Sequence, residues 1–180
     1  MAQNKGIQIL FGQSRPSLKW MIVSSIGGFL GIFLIEQTGR LVGLETKASL
    51  FLIGSFGASA VLVYGVPQAP FSQPRNLIGG HCISALIGMT IFFLLGDQGM
   101  VACPLAVCLS IFAMQLTDTV HPPSGATALI AVIGGSTIHD LGYWYVLCPV
   151  ALGACIMVGV AWVVNNLSGE KSRKYPHQAD

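Results

Sequence analysis

The stretch from Thr117 to Thr127, Thr-Asp-Thr-Val-His-Pro-Pro-Ser-Gly-Ala-Thr, sets two ionisable side chains, two consecutive prolines and four hydroxyls against the start of an apolar run. Pro122 and Pro123 donate no backbone hydrogen bond, and a proline pushes the residue before it, here His121, out of helical geometry. The spacing predicts an extended chain from Val120 to Pro123, Ser124 as an N-cap, and a helix from about Gly125. A helix that begins in apolar surroundings aims unpaired N–H groups and about half a positive charge at whatever precedes it. Such an end binds anions without needing a lysine. Ser124, Gly125 and Thr127 would line that site, with Asp118, Pro122 and Pro123 shaping the approach. A turn at the membrane surface that merely caps a short helix, with Asp118 and His121 paired, would use the same residues.

A second polar stretch runs from Gly65 to His81, "GVPQAPFSQPRNLIGGH". Its prolines predict a loop. Arg75 is the one cation between Lys47 and Lys171. It either signals topology or joins Gln73 and Asn76 in lining a mouth that guides an anion inward. His81 is expected in the first turn of the next segment, where an imidazole can shuttle a proton, line a path, or simply bond a neighbouring helix.

The elements that must hold these residues are read from hydropathy. Only 9% of the 180 residues are charged, against about 25% in an ordinary soluble domain, and the mean hydropathy is +0.70. Lipid is therefore the expected solvent for most of the surface. A membrane-spanning helix needs about 20 apolar residues. Six apolar segments follow one another: Trp20 to Ile35, Ala48 to Val66, Leu77 to Leu95, Met100 to Leu116, Ser124 to Gly134 and Trp144 to Val164. The fifth is too short to cross as one helix unless its first half is non-helical. The chain reads as a polar, basic segment (1–19), one transmembrane domain (20–164) and a basic tail (165–180).

Lys5, Arg15, Lys19, Arg75, Lys171, Arg173 and Lys174 fall on one side of such a six-crossing chain, and Arg40 and Lys47 on the other. That asymmetry places both termini in the cytoplasm. Met1 to Lys19 does not read as a cleaved leader, so the expected location is a bacterial inner membrane. The basic residues sit near the termini, where they set orientation or meet lipid headgroups, and nucleic-acid binding is not expected.

Gly57-Ala-Ser-Ala-Val-Leu-Val resembles Gly125-Ala-Thr-Ala-Leu-Ile-Ala at an offset of 68 residues, which also lays Leu77–Leu95 on Tyr145–Val163. The expected fold is all-α, with two three-helix repeats and short or broken helices near 55–66 and 120–134. Three is odd, so the second repeat must be inverted. Inverted repeats with interrupted helices build many secondary transporters, and substrate sites lie near the midplane between the units. In the first unit Ser55, Gly57 and Ser59 would match the polar start of the fifth segment. The plainer alternative is that a G-A-small-A pattern reflects only close helix packing. Glycine-rich faces also make a homo-oligomer an expectation on general grounds.

"HPPSGATALIAVIGG" together with "GSFGASAVLVYGVPQAPFSQPRNLIGGH" resembles the HPP family of integral membrane proteins, across roughly Lys19 to Val164. The resemblance implies motif positions at Gly57–Ala60, Gln73–Asn76, Gly80–His81 and His121–Ala128. It also implies transport of nitrite, with which chloroplast and cyanobacterial members are associated. Nitrite suits a small site of amides and hydroxyls; nitrate, formate and bicarbonate satisfy much the same chemistry. The expected function is a transporter or channel for such an anion, without cofactor or metal. Proton coupling through His81, His121 or Asp118 stays open beside passive passage. The alternatives are a non-transporting membrane subunit and an intramembrane metal-dependent enzyme. Against the enzyme, the sequence has no HExxH, no serine elbow and no CxxC, and its five cysteines lie in apolar runs as small hydrophobes.

Overall fold

The computed structural model describes residues 15–41, 54–97 and 99–177, and their regular structure is all helical. The elements are α1 (Leu18–Leu41), α2 (Gly54–Gly65), α3 (Pro74–Leu95), α4 (Gly99–Leu116), α5 (Ser124–Ile133), a single turn α6 (Ser136–His139) and α7 (Val146–Leu167). By length and composition α1, α3 and α7 can each cross a membrane. Lys5, Lys47 and the first residues of the second apolar segment lie outside the described residues.

Local chemistry sets several of the ends. α1 starts earlier than Trp20 because the Ser17 hydroxyl accepts from the Trp20 amide at 3.1 Å, an N-cap to the third helical residue. α3 also starts earlier than the sequence suggests. Pro74 sits in its first turn, where a proline's missing N–H costs nothing. The expected loop therefore ends at Gln73, and His81 stands two turns into the helix rather than in its first. α4 ends in a Schellman turn: the Thr119 amide donates to Met114 O at 2.9 Å and the Asp118 amide to Gln115 O at 3.3 Å. Asp118 takes the left-handed position with φ 55°, a conformation that aspartate adopts more readily than most residues. α7 is kinked near its start, where Cys148, ahead of Pro149, is extended at φ −136° and ψ 117°.

Side-chain contacts give the directions. Gly27 of α1 lies against Val164, while Ile35 and Gly39 lie with Pro149 and Gly153 of α7, so those helices are antiparallel. Trp20 and Ser24 of α1 reach Gly65 and Tyr64, so α2 also runs against α1. Phe56 meets Gly153 and Val63 meets Asn165, so α2 runs with α7. Between the units Gly80 meets Ser124 and Gly88 meets Ala131, so α5 runs with α3. Ser84 meets Met114, and α4 packs Ala102 and Ala106 near Ile91, so α4 runs against α3. The three main helices of the first unit thus run up, down, up, and those of the second down, up, down. That is the inverted repeat. Ser55 and Pro123, 68 residues apart, touch through a hydrogen bond of 3.2 Å, as equivalent positions do only near a pseudo-two-fold axis. The start of α1 and the segment after α7 share one face, since Arg173 reaches Trp20 and Ser24.

α5 is a half-helix of 10 residues, about 15 Å at 1.5 Å per residue, half of a hydrocarbon core of about 30 Å. The 12 described residues of α2 meet its start at Ser55. A helix end away from water must have its carbonyls satisfied by protein, and at the C-terminus of α2 they are. Leu62 O accepts from Val66 N and the Ser72 hydroxyl, and Val63 O from Asn165 Nδ2. Tyr64 O takes the Ser24 hydroxyl and Arg173 Nη2, each at 2.7 Å, and Gly65 O takes Trp20 Nε1 at 3.0 Å. α5 is finished in the same way, with His139 Nε2 on Val132 O at 3.1 Å.

Arg173 was expected to set orientation or meet lipid headgroups from a solvated tail. It is instead fully buried, bonded also to Asn165 Oδ1 at 2.6 Å and lying 4.4 Å over the Trp20 ring. A cation at a helix C-terminus is favoured by the aligned peptide dipoles, and guanidinium has enough donors to serve three segments at once. Arg173→Ala leaves Tyr64 O and Asn165 short of donors. The expected outcome is a loss of about 2–4 kcal/mol of stability, seen as a lower unfolding midpoint in detergent, with Arg173→Lys recovering only part of it.

Candidate functional site

The two polar stretches of the sequence interlock. From Thr117 to Pro123 the chain re-enters the bundle after α4, cradled by the first turns of α3. Arg75 Nη2 donates to Thr117 O at 2.9 Å, and Asn76 Nδ2 to Val120 O at 2.9 Å. Two glycines allow the approach: a Cβ on Gly79 would lie 2.7 Å from Thr119 Cγ2, and one on Gly80 2.7 Å from His121 Cβ and 2.8 Å from Ser124 Oγ. Arg75 also pairs with Asp118 at 3.2 Å, both well exposed, an ion pair worth about 0–1 kcal/mol. Arg75, Gln73, Asn76 and Asp118 line one cavity of about 330 Å³ with Phe71, Val120 and His177. The residues read as a mouth thus surround a single opening on the face that carries the start of α1 and the segment after α7.

Below it lies a buried cluster. Ser55, Ser59, His81, His121, Ser124 and Thr127 are each at most 1% exposed. Ser55 Oγ is 2.7 Å from Thr127 Oγ1, which is 2.7 Å from His81 Nδ1. His81 Nε2 is 2.9 Å from Ser59 Oγ, which is 2.8 Å from His121 Nε2. His121 Nδ1 is 2.7 Å from Phe71 O, a wall residue of the mouth. The first described turn of α2 therefore meets the start of α5, with one histidine from α3 and one from the re-entrant chain between them. The double proline straddles the surface: Pro122 is exposed, while His121 and Pro123 on either side of it are buried.

Two expectations about the start of α5 are corrected. His121 to Ser124 form a turn rather than an extended strand, with the Ser124 amide on His121 O at 2.9 Å; Pro123 is helical at φ −61° and ψ −20°. Proline's fixed φ fits the first turn of a helix as readily as an extended chain. Ser124 is consequently inside the helix and caps nothing; its buried hydroxyl has no partner. The free amides expected at this end are also spoken for. The prolines have none, and the amides of Ser124, Gly125 and Ala126 bond back to residues 121, 122 and 123. What the junction offers is hydroxyls and imidazoles. Gly57 and Gly125 have open space within 4 Å of where a Cβ would stand, so packing does not require glycine there. Among the described residues no trio of His, Cys, Asp and Glu converges as a metal site would.

The sequence reading missed Phe71, whose carbonyl orders the network, and Tyr145, whose hydroxyl lies 3.3 Å from Thr127 O. Nothing in the type of either residue marks such a role. The Gly79–Gly80 pair was visible in the second motif and is the one cue to close approach.

Phe71 O can only accept, so His121 Nδ1 carries the hydrogen. With neutral rings, His121 Nε2 must then accept from Ser59, Ser59 from His81 Nε2–H, and His81 Nδ1 from the Thr127 hydroxyl. One carbonyl sets the polarity of five groups. Solution or solid-state 15N spectra are expected to show His121 as the Nδ1–H tautomer and His81 as the Nε2–H tautomer. Ser59→Ala strands one ring donor and one ring acceptor. Its expected cost is about 2–4 kcal/mol, with loss of that tautomer preference. Gly80→Ala is expected to disrupt the cluster by driving a methyl into His121 and Ser124, checked by the same spectra.

The sequence profile described as "HPP, transmembrane region" matches residues 13–176. A protein of Dictyostelium discoideum named only as a transmembrane protein is 44% identical over 165 residues, 90% of this chain and 52% of the relative. A second from the same organism, named in the same way, is 42% identical over 164 residues, 89% of this chain and 56% of the relative. The chain thus spans about half the length of these relatives. No solved structure matches. With the motifs interlocked as described and the match running almost from end to end, the chain belongs to the HPP transmembrane family.

Proposed function

We propose that this chain moves a small inorganic anion across a membrane through the junction of α2 and α5, with the face shared by the start of α1 and the segment after α7 cytoplasmic. The observation that supports this most is the meeting of the half-helix α5 with the first described turn of α2 at a wholly buried set of hydroxyls and imidazoles beneath an open mouth. The dipole of α5 turns its positive end to that point, and among the described residues no fixed charge lines it to hold an anion too long. Ionisable groups held within a membrane domain are functional candidates by default, since the environment penalises them. Arg75 at the mouth raises the local anion concentration without entering the site. Nitrite is the substrate the family resemblance favours, with nitrate and formate the natural competitors.

One observation favours a non-transporting subunit instead: the cluster's hydrogen bonds close on one another, as they would if they served only to order the packing. Flux separates the two. In proteoliposomes the wild-type chain is expected to admit nitrite above protein-free vesicles. Thr127→Val keeps the shape, removes the hydroxyl, and is expected to cut uptake at least ten-fold while the protein remains monodisperse and helical. Wild-type vesicles that admit no anion would leave the packing role as the reading.

A further inference from the structure

We propose that the His81–His121 pair takes up a proton with each anion, so that the passage is a proton–anion symport; this rests on the anion-transport reading above. Among the described residues no lysine or arginine lies beside an anion at the α2–α5 junction. Its charge is balanced there only if an imidazole becomes imidazolium, and a neutral ion pair costs far less at membrane depth than a bare charge.

The hydrogen-bond geometry carries the proposal, because every hydrogen that must turn has a second acceptor waiting. When His121 gains a proton at Nε2, an O–H bond of a hydronium ion in the mouth breaks and an N–H bond forms, leaving water. Nδ1–H stays on Phe71 O. Ser59 then accepts from both rings and swings its own hydrogen to Ser55 O, which stands 3.3 Å away. The same holds for His81. A proton on its Nδ1 is donated to Thr127 Oγ1; Thr127 turns its hydrogen to Ser55 Oγ, and Ser55 turns to Pro123 O at 3.2 Å. Both hydroxyls of α2 thus have one partner for the neutral rings and another for the charged ones. The second acceptors are longer than the first, which keeps the rings neutral until an anion arrives.

The surroundings contain little else that titrates. His81 and His121 face each other with centroids 5.0 Å apart, and Phe56 of α2 lies 4.8 Å from His81. α5 presents the Thr127 hydroxyl, and Tyr145, just before α7, its hydroxyl on Thr127 O. The Arg75–Asp118 pair and His177 are at the mouth. The two rings repel each other when both are charged, so one proton per turnover follows.

The test follows nitrite uptake chemically and internal pH with an entrapped dye in the same proteoliposomes, with protein-free vesicles subtracted. The expected result is one proton per anion in the wild-type chain. In His121→Gln, which keeps a donor and an acceptor but cannot be protonated, proton uptake should fall at least ten-fold. Anion uptake without proton uptake in the wild type would overturn the symport and leave the transport reading standing; no anion uptake at all would remove the transport reading itself. Coupled uptake that survives in both His81→Gln and His121→Gln would also overturn it. Should the variants fail to fold, 15N spectra of the wild-type protein decide. An imidazolium signal that appears on adding nitrite supports the proposal, and rings that stay neutral with and without nitrite refute it.

Discussion

A peptide group without water must find its hydrogen bond inside the protein, and helix ends packed within the bundle make that demand the organising constraint of this molecule. α5 starts at the buried Ser124. Its start is handled by subtraction and by tight turns: two prolines remove donors before it, and the next three amides bond backward. The stops of α2 and α5 are handled by donors brought from elsewhere. Trp20, Ser24, Asn165 and Arg173 converge on the last carbonyls of α2, and His139 serves α5. Much of the remaining architecture delivers those donors. The tail folds back so that Arg173 can arrive, and α6 exists as a single turn that ends on His139.

The inverted repeat follows from the same demand. The second unit leaves a half-helix, α5, too short to cross, and α2 of the first unit meets its start. Each of the two lies parallel to the third helix of the opposite unit, α5 along α3 and α2 along α7, so neither unit can close its core alone. Glycines mark the crossings where backbones or large rings come closest. Gly27 and Gly31 accept the Tyr64 ring, Gly153 accepts Phe56, and Gly88 lies against Ala128 and Ala131. Without a hydrophobic drive between helices in lipid, such close fits and the polar bonds between them hold the bundle.

The buried cluster is the place where constraint and chemistry coincide. Its side chains come from α2, α3, α5 and the re-entrant chain, and its bonds order one another from a single carbonyl at Phe71. A network of that kind is rigid while fully satisfied and costly when one member is missing. It is also the only buried set of titratable groups on the junction of the repeats among the described residues, directly under the mouth that Arg75 and Asp118 mark.

Local signals sufficed for a good deal. The apolar segments, the breaks at "HPP" and "QAPFSQP" and the repeat at an offset of 68 residues were all legible, because hydropathy and proline chemistry act along the chain. The repeat itself set Ser55 and Ser59 opposite the polar start of α5, while His81 was visible only as part of the second polar stretch. The failures were also local: proline's fixed φ fits two backbone states, so neither the first turn of α3 nor the turn before α5 could be told from an extended loop. What only the tertiary structure decided is which atom faces which. That Phe71 offers its carbonyl to His121, that Ser59 stands between two imidazoles, and that Arg173 enters the core from the tail depend on packing between segments as much as 153 residues apart. No period or propensity encodes such pairings, because they are chosen by the crossing of helices and not by the residues along any one of them.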